Sequence, residues 1–328
     1  MKKFDVICIG EVLVDLISQE SGTSLDNVTL FKKFAGGAPA NVAVGLTKLG
    51  GKVAFAGRVG DDFFGRFLRK YLNDQDINTE ALIGDPIHRT RLAFVEIAEN
   101  GERAFEFAEK HAADSALKEA DFPIDLLKQS KIVHFGSLPL TTSANWKLFD
   151  NLISQLNRQN VLTSFDPNYR AMLWKSPQKA RKILGSLAAR SQILKVSWEE
   201  GVFLTGIGHP EELPAALFGP NTRLLAITRG ERGCILRNRS FTVEIPGFSV
   251  KVADTTGCGD AFTAGLLAKL IQSGKSSDDL NESELIAFGQ YANAVAALTA
   301  TRLGATESLP TNNETDMFIK SEKVRKEA

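Results

Sequence analysis

The sequence predicts an α/β protein: a three-layer α/β/α sandwich on a mostly parallel central sheet, with a small β-flap set into it. Two observations carry this. Short apolar runs bounded by turn residues alternate with helical stretches through most of the chain, the pattern of a parallel sheet covered on both faces. Two strand-like runs, 91–98 and 103–108, break that alternation and flank Glu99-Asn100-Gly101-Glu102, where Asn-Gly is a strong hairpin signal. The 328 residues, 43% hydrophobic and 24% charged, supply ample material for a core.

Residues 4–9 form an apolar run ending at Gly10, read as a buried strand. Residues 12–34 are less regular and end in the basic-aromatic stretch 30–34. In segment 35–51, Pro39 suits a first helical position, Gly50-Gly51 suits a stop, and Val42, Leu46 and Leu49 share one helical face. Residues 53–57 read as a strand and 63–72 as a helix. After the hairpin, strands are expected at 131–135, 161–165, 192–197 and 224–228, with helices between most of them. The expected division is a main α/β domain of residues 1–11, 36–85 and 110–328, and a lid of residues 12–35 and 86–109. The charged tail reads as a frayed end.

A formal net charge of zero gives no reason to expect a nucleic-acid or membrane-surface partner. No stretch has the length and apolarity of a membrane span. The N-terminus superficially resembles a signal peptide, but Asp5, Glu11 and Asp15 interrupt its apolar run. Cys8, Cys234 and Cys258 have no CxxC spacing, and the four histidines form no HxxxH pair. A reducing, cytoplasmic setting is expected.

The strongest chemical feature is segment 253–270. Gly257, Cys258 and Gly259 precede a helical pattern, so backbone amides and the helix dipole would together form an anion hole suited to a phosphoryl group. Asp260 lies in the first turn, placed to take a proton from an attacking hydroxyl; helix capping is the ordinary alternative. Two decoys fail. Residues 274–277 suggest a phosphate-binding loop, but Lys269 occupies its first glycine position. Gly257-Cys258-Gly259 suggests a dinucleotide fingerprint, but Phe262 stands at the third glycine position.

Weaker candidates follow. Gly36-Gly37 permits close approach to a ligand, and Asn41 offers both donor and acceptor to a sugar hydroxyl; a plain turn before a helix is the alternative. Asp15 could hold vicinal hydroxyls. Arg170, in the strand-end segment 166–170, could neutralise phosphate charge or be a solvated turn residue. Lys195, Ser197 and Glu200 could place polar groups near a metal–phosphate complex. Thr228, Gly230 and Gly233 could let backbone approach a nucleotide.

Segments 35–51 and 254–262 resemble the two signatures of the ribokinase-like (PfkB-type) carbohydrate kinases. Supporting segments such as GEVLVD, FDPNYR and GERAFEF are most similar to fructokinases. The resemblance runs from about Phe4 to Pro310. It implies ATP-dependent phosphorylation of a sugar, D-fructose to D-fructose 6-phosphate foremost. Asp260 would be the base, Gly257, Cys258 and Gly259 the anion hole, and Asp15, Gly36, Gly37 and Asn41 the sugar site, with Arg170 near the transferred phosphate. Glu200 would act on Mg²⁺ indirectly, while Thr228, Gly230, Gly233 and Asn293 would face the nucleotide. Asp254 and Thr256 match positions that hold a monovalent cation, K⁺, in some relatives. The lid would exclude water and pair two subunits as a homodimer.

Three departures from the family pattern stand out. Cys258 replaces the commoner Ala, Ser197 replaces Asn, and Ala108-Glu109 occupies the lid where many fructokinases carry an aromatic-Arg pair. A 2-keto-3-deoxygluconate kinase is the alternative enzyme; Glu109 argues mildly against an acidic substrate and Lys110 leaves it open. A non-catalytic sugar-binding regulator is the reading of a different class, with a nicotinamide dehydrogenase behind it.

Overall fold

The computed structural model describes residues 2–97, 103–109 and 111–327. The expected turn at Asn100-Gly101 and the residue Lys110 lie outside the described residues.

The strands, in chain order, are β1 (Phe4–Gly10), β2 (Leu13–Ser18), β3 (Phe31–Gly36), β4 (Val53–Gly60), β5 (Asn78–Asp85), β6 (Leu92–Ile97), β7 (Arg103–Phe107), β8 (Ser130–Phe135), β9 (Leu162–Phe165), β10 (Ile193–Ser197), β11 (Leu224–Thr228), β12 (Cys234–Arg237) and β13 (Thr242–Ile245). The helices are α1 (Ala38–Lys48), α2 (Phe63–Asp74), α3 (Ile124–Leu127), α4 (Ser143–Arg158), α5 (Pro177–Arg190), α6 (Trp198–Thr205), α7 (Leu213–Leu217), α8 (Cys258–Ser273), α9 (Glu282–Ala300) and α10 (Asn312–Glu327).

Among the described residues the strands form two sheets. The large one runs β13-β12-β11-β10-β9-β8-β1-β4-β5. Every pairing from β11 to β5 is parallel, and β12 and β13 close one edge antiparallel. Alternate residues of its strands feed two separate cores, as a two-sided sheet requires. Val6 and Cys8 of β1 pack on one face with Val42 and Leu46 of α1, Leu266 of α8 and Val295 of α9. Ile7 and Ile9 pack on the other with Phe149 and Ile153 of α4, Leu184 of α5 and Leu213 of α7. The predicted three-layer sandwich is therefore what forms.

Helix starts follow local chemistry. Asp62 caps α2 by accepting from the Gly65 amide at 2.8 Å, and Asn281 with Glu284 forms a capping box on α9. Small residues let the helices on the first face approach closely. A side chain at Gly45 of α1 would meet Ala264 of α8 at 2.7 Å, and one at Gly265 of α8 would meet Ala292 of α9 at 3.0 Å.

The small sheet runs β3-β2-β6-β7, with β2 and β6 parallel and the outer pairs antiparallel. The irregular stretch 12–34 thus contains one whole strand and most of a second. Strands β5, β12 and β13 were not anticipated. β5 begins in Asn78-Thr79-Glu80 and contains Gly84, so it lacks an apolar run. β12 and β13 are four-residue strands at one end of the sheet, with too little length for a period to register.

Candidate active site

The carboxyl ends of the parallel strands open into one cleft, where α/β folds present their ligand sites. α8 points its N-terminus into it. Gly257 caps that helix in the left-handed conformation, φ +77°, which glycine adopts without the Cβ penalty. The Cys258 amide donates to the Thr255 carbonyl at 3.2 Å, and the Ala261 amide to Gly257 at 2.7 Å. Among the described residues, this leaves the Gly259 and Asp260 amides as first-turn donors without a backbone acceptor. Within the expected anion-hole segment 257–259, the Cys258 amide is thus engaged with a backbone carbonyl.

Asp260 is buried, and its Oδ2 accepts from Nδ2 of Asn41 at 2.7 Å. Burial and the nearby Asp166 carboxylate push its carboxyl up to about 7; Asn41, Lys195 and Arg170 pull the other way. A carboxyl of that strength is poised to exchange a proton near neutrality.

Beneath Asp260, Lys195 Nζ pairs with Asp166 Oδ2 at 2.9 Å, both buried. Burial opposes the Lys195 charge, but Asp166 and Glu200 outweigh it and raise its pKa overall. A Cβ on Gly259 would sit 2.9 Å from Lys195 Nζ, so the ammonium lies directly against the helix start. Ser197 caps α6, its Oγ accepting from the Glu200 amide at 3.1 Å. Glu200 in turn accepts from the amides of Ser197 (2.8 Å) and Tyr169 (2.7 Å). Both of its oxygens are therefore held by backbone.

On one side of Asp260 lies a polar pocket, lined by Glu11, Asp15, Gly37, Asn41 and Arg170 with Phe105, Phe107 and Trp174. Gly36 stands behind that lining. A Cβ there would lie 2.1 Å from Asp15 Oδ2, so only glycine allows the carboxylate its position. On the other side, Thr228, Gly230, Gly233, Cys258, Phe262 and Asn293 line a more apolar pocket. Asn293 also donates to the Pro246 carbonyl at 3.1 Å, tying α9 to the chain leaving β13. A central stretch bearing Lys195, Ser197, Glu200, Arg170 and Asp260 joins the two pockets. Asp254 lies behind Thr256, accepting from the Thr256 and Gly304 amides, each at 2.9 Å. Among the described residues no cluster of three or more His, Cys, Asp or Glu could hold a metal.

Sequence reading missed Glu11, Asp166 and Asn168 as site residues. Asp166 and Asn168 sit in the strand-end segment that yielded Arg170, but Asp166 pairs with Lys195, about thirty positions on. Asn168 has φ +40°, with its amide donating to Asp166 Oδ1 at 3.1 Å.

A profile of the pfkB family carbohydrate kinases matches residues 3–312. The chain belongs to this family. As a carbohydrate kinase it joins a phosphoryl group to a sugar hydroxyl, in keeping with two pockets that meet at a carboxyl and a helix N-terminus. Its relatives include the probable chloroplastic fructokinase-6 of Arabidopsis thaliana, 41% identical, with 93% of this chain and 80% of that protein aligned. Among solved structures, a fructokinase from Xylella fastidiosa with bound ATP is 29% identical, with a TM-score of 0.89 over 98% of this chain and 100% of that one. A double mutant of the Vibrio cholerae fructokinase, bound to fructose, ADP and potassium, is 32% identical, with a TM-score of 0.84 over 97% and 98%. The resemblance read from the two signature segments is thereby borne out.

Proposed function

We propose that this carbohydrate kinase transfers the γ-phosphoryl group of ATP to the 6-hydroxyl of D-fructose. The observation that carries the reading is Asp260: a buried carboxyl, pushed up to about 7, at the junction of a polar pocket and a second, more apolar one. Asp15 and Asn41 hold sugar hydroxyls in the polar pocket. Asp260 takes the proton of the 6-hydroxyl as its oxygen attacks the γ-phosphorus, and ADP leaves. The Gly259 and Asp260 amides receive the charge that collects on the phosphoryl oxygens, helped by Lys195 and Arg170. Thr228, Gly230 and Gly233 border the nucleotide pocket, with Asn293 at its wall.

Mg²⁺ carried in with the nucleotide neutralises phosphate charge when bound. Glu200, with both oxygens committed to backbone amides, suits contact through water better than direct ligation. Asp254 and Thr256 border the segment where K⁺ would sit; the potassium-bound Vibrio cholerae relative supports a monovalent site. The small sheet serves as a lid over the sugar, and its free edges pair two subunits. Three free cysteines suit a cytoplasmic setting.

A coupled assay of ADP release tests the assignment across fructose, ribose, 2-keto-3-deoxygluconate and nucleosides. Fructose should give the highest kcat/KM. Asp260→Asn should keep sugar binding while lowering kcat by about 10²- to 10⁴-fold. A preference for another acceptor would overturn fructose, and near-normal turnover in Asp260→Asn would remove the base.

A further inference from the structure

Glu11 follows β1 and is 2% exposed. Its Oε1 accepts from the Ala38 amide at 3.2 Å. Its Oε2 is buried and, among the described residues, has no hydrogen-bond partner. Glu11 lines the pocket that also holds Asp15, Asn41 and Asp260. Asn41, another residue lining that pocket, likewise has a buried atom without a partner among the described residues, Oδ1. Buried polar atoms are nearly always satisfied, so two orphans on residues that line one pocket mark a place where a polar ligand completes the bonding.

The two orphans differ in kind. Asn41 Oδ1 can only accept. Burial first, and then the nearby carboxylates of Asp114 and Asp260, push the Glu11 carboxyl up to about 8, against the backbone amides of Glu11 and Ala38. Asp114 is itself held by Arg91 through two bonds of 2.6 Å, so much of the Arg91 charge is already spent there. Near neutrality Glu11 therefore keeps its proton, and Oε2 becomes a donor. A sugar hydroxyl, which donates and accepts at once, satisfies atoms of both kinds.

We propose that Glu11 is a further sugar-binding residue, donating a hydrogen bond from Oε2 to one hydroxyl of the bound sugar. The inference rests on the sugar-pocket reading above. Glu11 acts as a neutral group, so it recognises a polyol face and not a cation.

The test compares Glu11→Met, Glu11→Asp and Glu11→Gln with the unaltered enzyme, using fructose and a series of its monodeoxy and anhydro analogues. Glu11→Gln keeps a donor at the same reach and should hold the fructose KM within about threefold. Glu11→Met removes it and Glu11→Asp withdraws it; each should raise the fructose KM about tenfold and leave the ATP KM unchanged. For one analogue, the one lacking the contacted hydroxyl, that penalty should vanish. If Glu11→Met fails to fold, the Glu11→Asp series decides. An unchanged fructose KM overturns the proposal. So does an equal penalty on every analogue, which would mean that Glu11 only supports the Ala38 turn, and so does a Glu11→Gln enzyme as weak as Glu11→Met. If the unaltered enzyme does not phosphorylate fructose, it is the sugar reading that has failed.

Discussion

Asn41 of α1 donates from Nδ2 to Asp260 Oδ2 of α8 at 2.7 Å, across 219 residues of sequence. This one bond joins the two signature segments. It favours the ionised form of Asp260, in opposition to burial and Asp166. Removing it should shift the carboxyl above its present value near 7. Asn41→Ala should therefore move the acidic limb of the kcat/KM profile toward higher pH, with a larger loss at pH 6 than at pH 9. A profile that falls in parallel at all pH values would mean that Asn41 acts on the sugar alone.

Gly36 presents a different constraint. An added Cβ would lie 2.1 Å from Asp15 Oδ2 and 2.8 Å from its Cγ, closer than real Cβ contacts come. Asp15 is packed in β2 between β3 and β6, so its side chain must turn away. Gly36→Ala should raise the sugar KM about tenfold or more, as expected for a lost charged hydrogen bond, and leave the ATP KM close to that of the unaltered enzyme. Steady-state kinetics with each substrate varied checks this. An unaltered sugar KM would show that Asp15 does not bind the sugar.

The parts of the site that could be read in the sequence are those whose chemistry is local. The glycines before α8, the carboxylate in its first turn and the Gly36-Gly37-Asn41 segment each announce themselves within a few positions. Asp166 does not, because its importance lies in pairing with Lys195 across two adjacent strands, β9 and β10, and that adjacency is a property of sheet order. In the sequence Glu11 is only a charge that interrupts the first apolar run; the folded chain surrounds it with Asp114 and Asp260. Ser197 and Glu200 carry the S-x-x-E spacing of a capping box, and the structure forms one, which fixes Glu200 against backbone amides. The fold itself was legible where strands are buried on both faces, as in β8 and β11, and illegible where they are short or polar, as in β5, β12 and β13.

The Lys195–Asp166 pair is buried, and removing one partner strands the other. Lys195→Met should destabilise the protein by about 3–5 kcal/mol, the usual consequence of an uncompensated buried charge. Asp166→Asn in the same chain should recover a large part of that loss, since no charge remains to be buried. Urea denaturation of the two single variants and the double variant checks this as a cycle. Additive losses would show that the two residues do not depend on each other.

Asp260 and Glu11 also set how stability responds to pH. Each is a carboxyl raised in the folded state, from 3.8 to about 7 for Asp260 and from 4.5 to about 8 for Glu11. Between the ordinary and the raised values the folded chain binds more protons than the unfolded chain, so stability falls as pH rises. Their contribution is fully present below about pH 4 and is lost as pH climbs through 7 to 8. Asp260→Asn removes one of these titrations while leaving an oxygen for Asn41 to donate to. It should melt at a higher temperature than the unaltered protein at pH 8, and the gap should close as pH is lowered toward 4. Calorimetric melts at a series of pH values measure this directly. A gap that stayed constant with pH would mean that the Asp260 carboxyl is not raised in the folded protein, and would weaken its standing as a base tuned to neutrality.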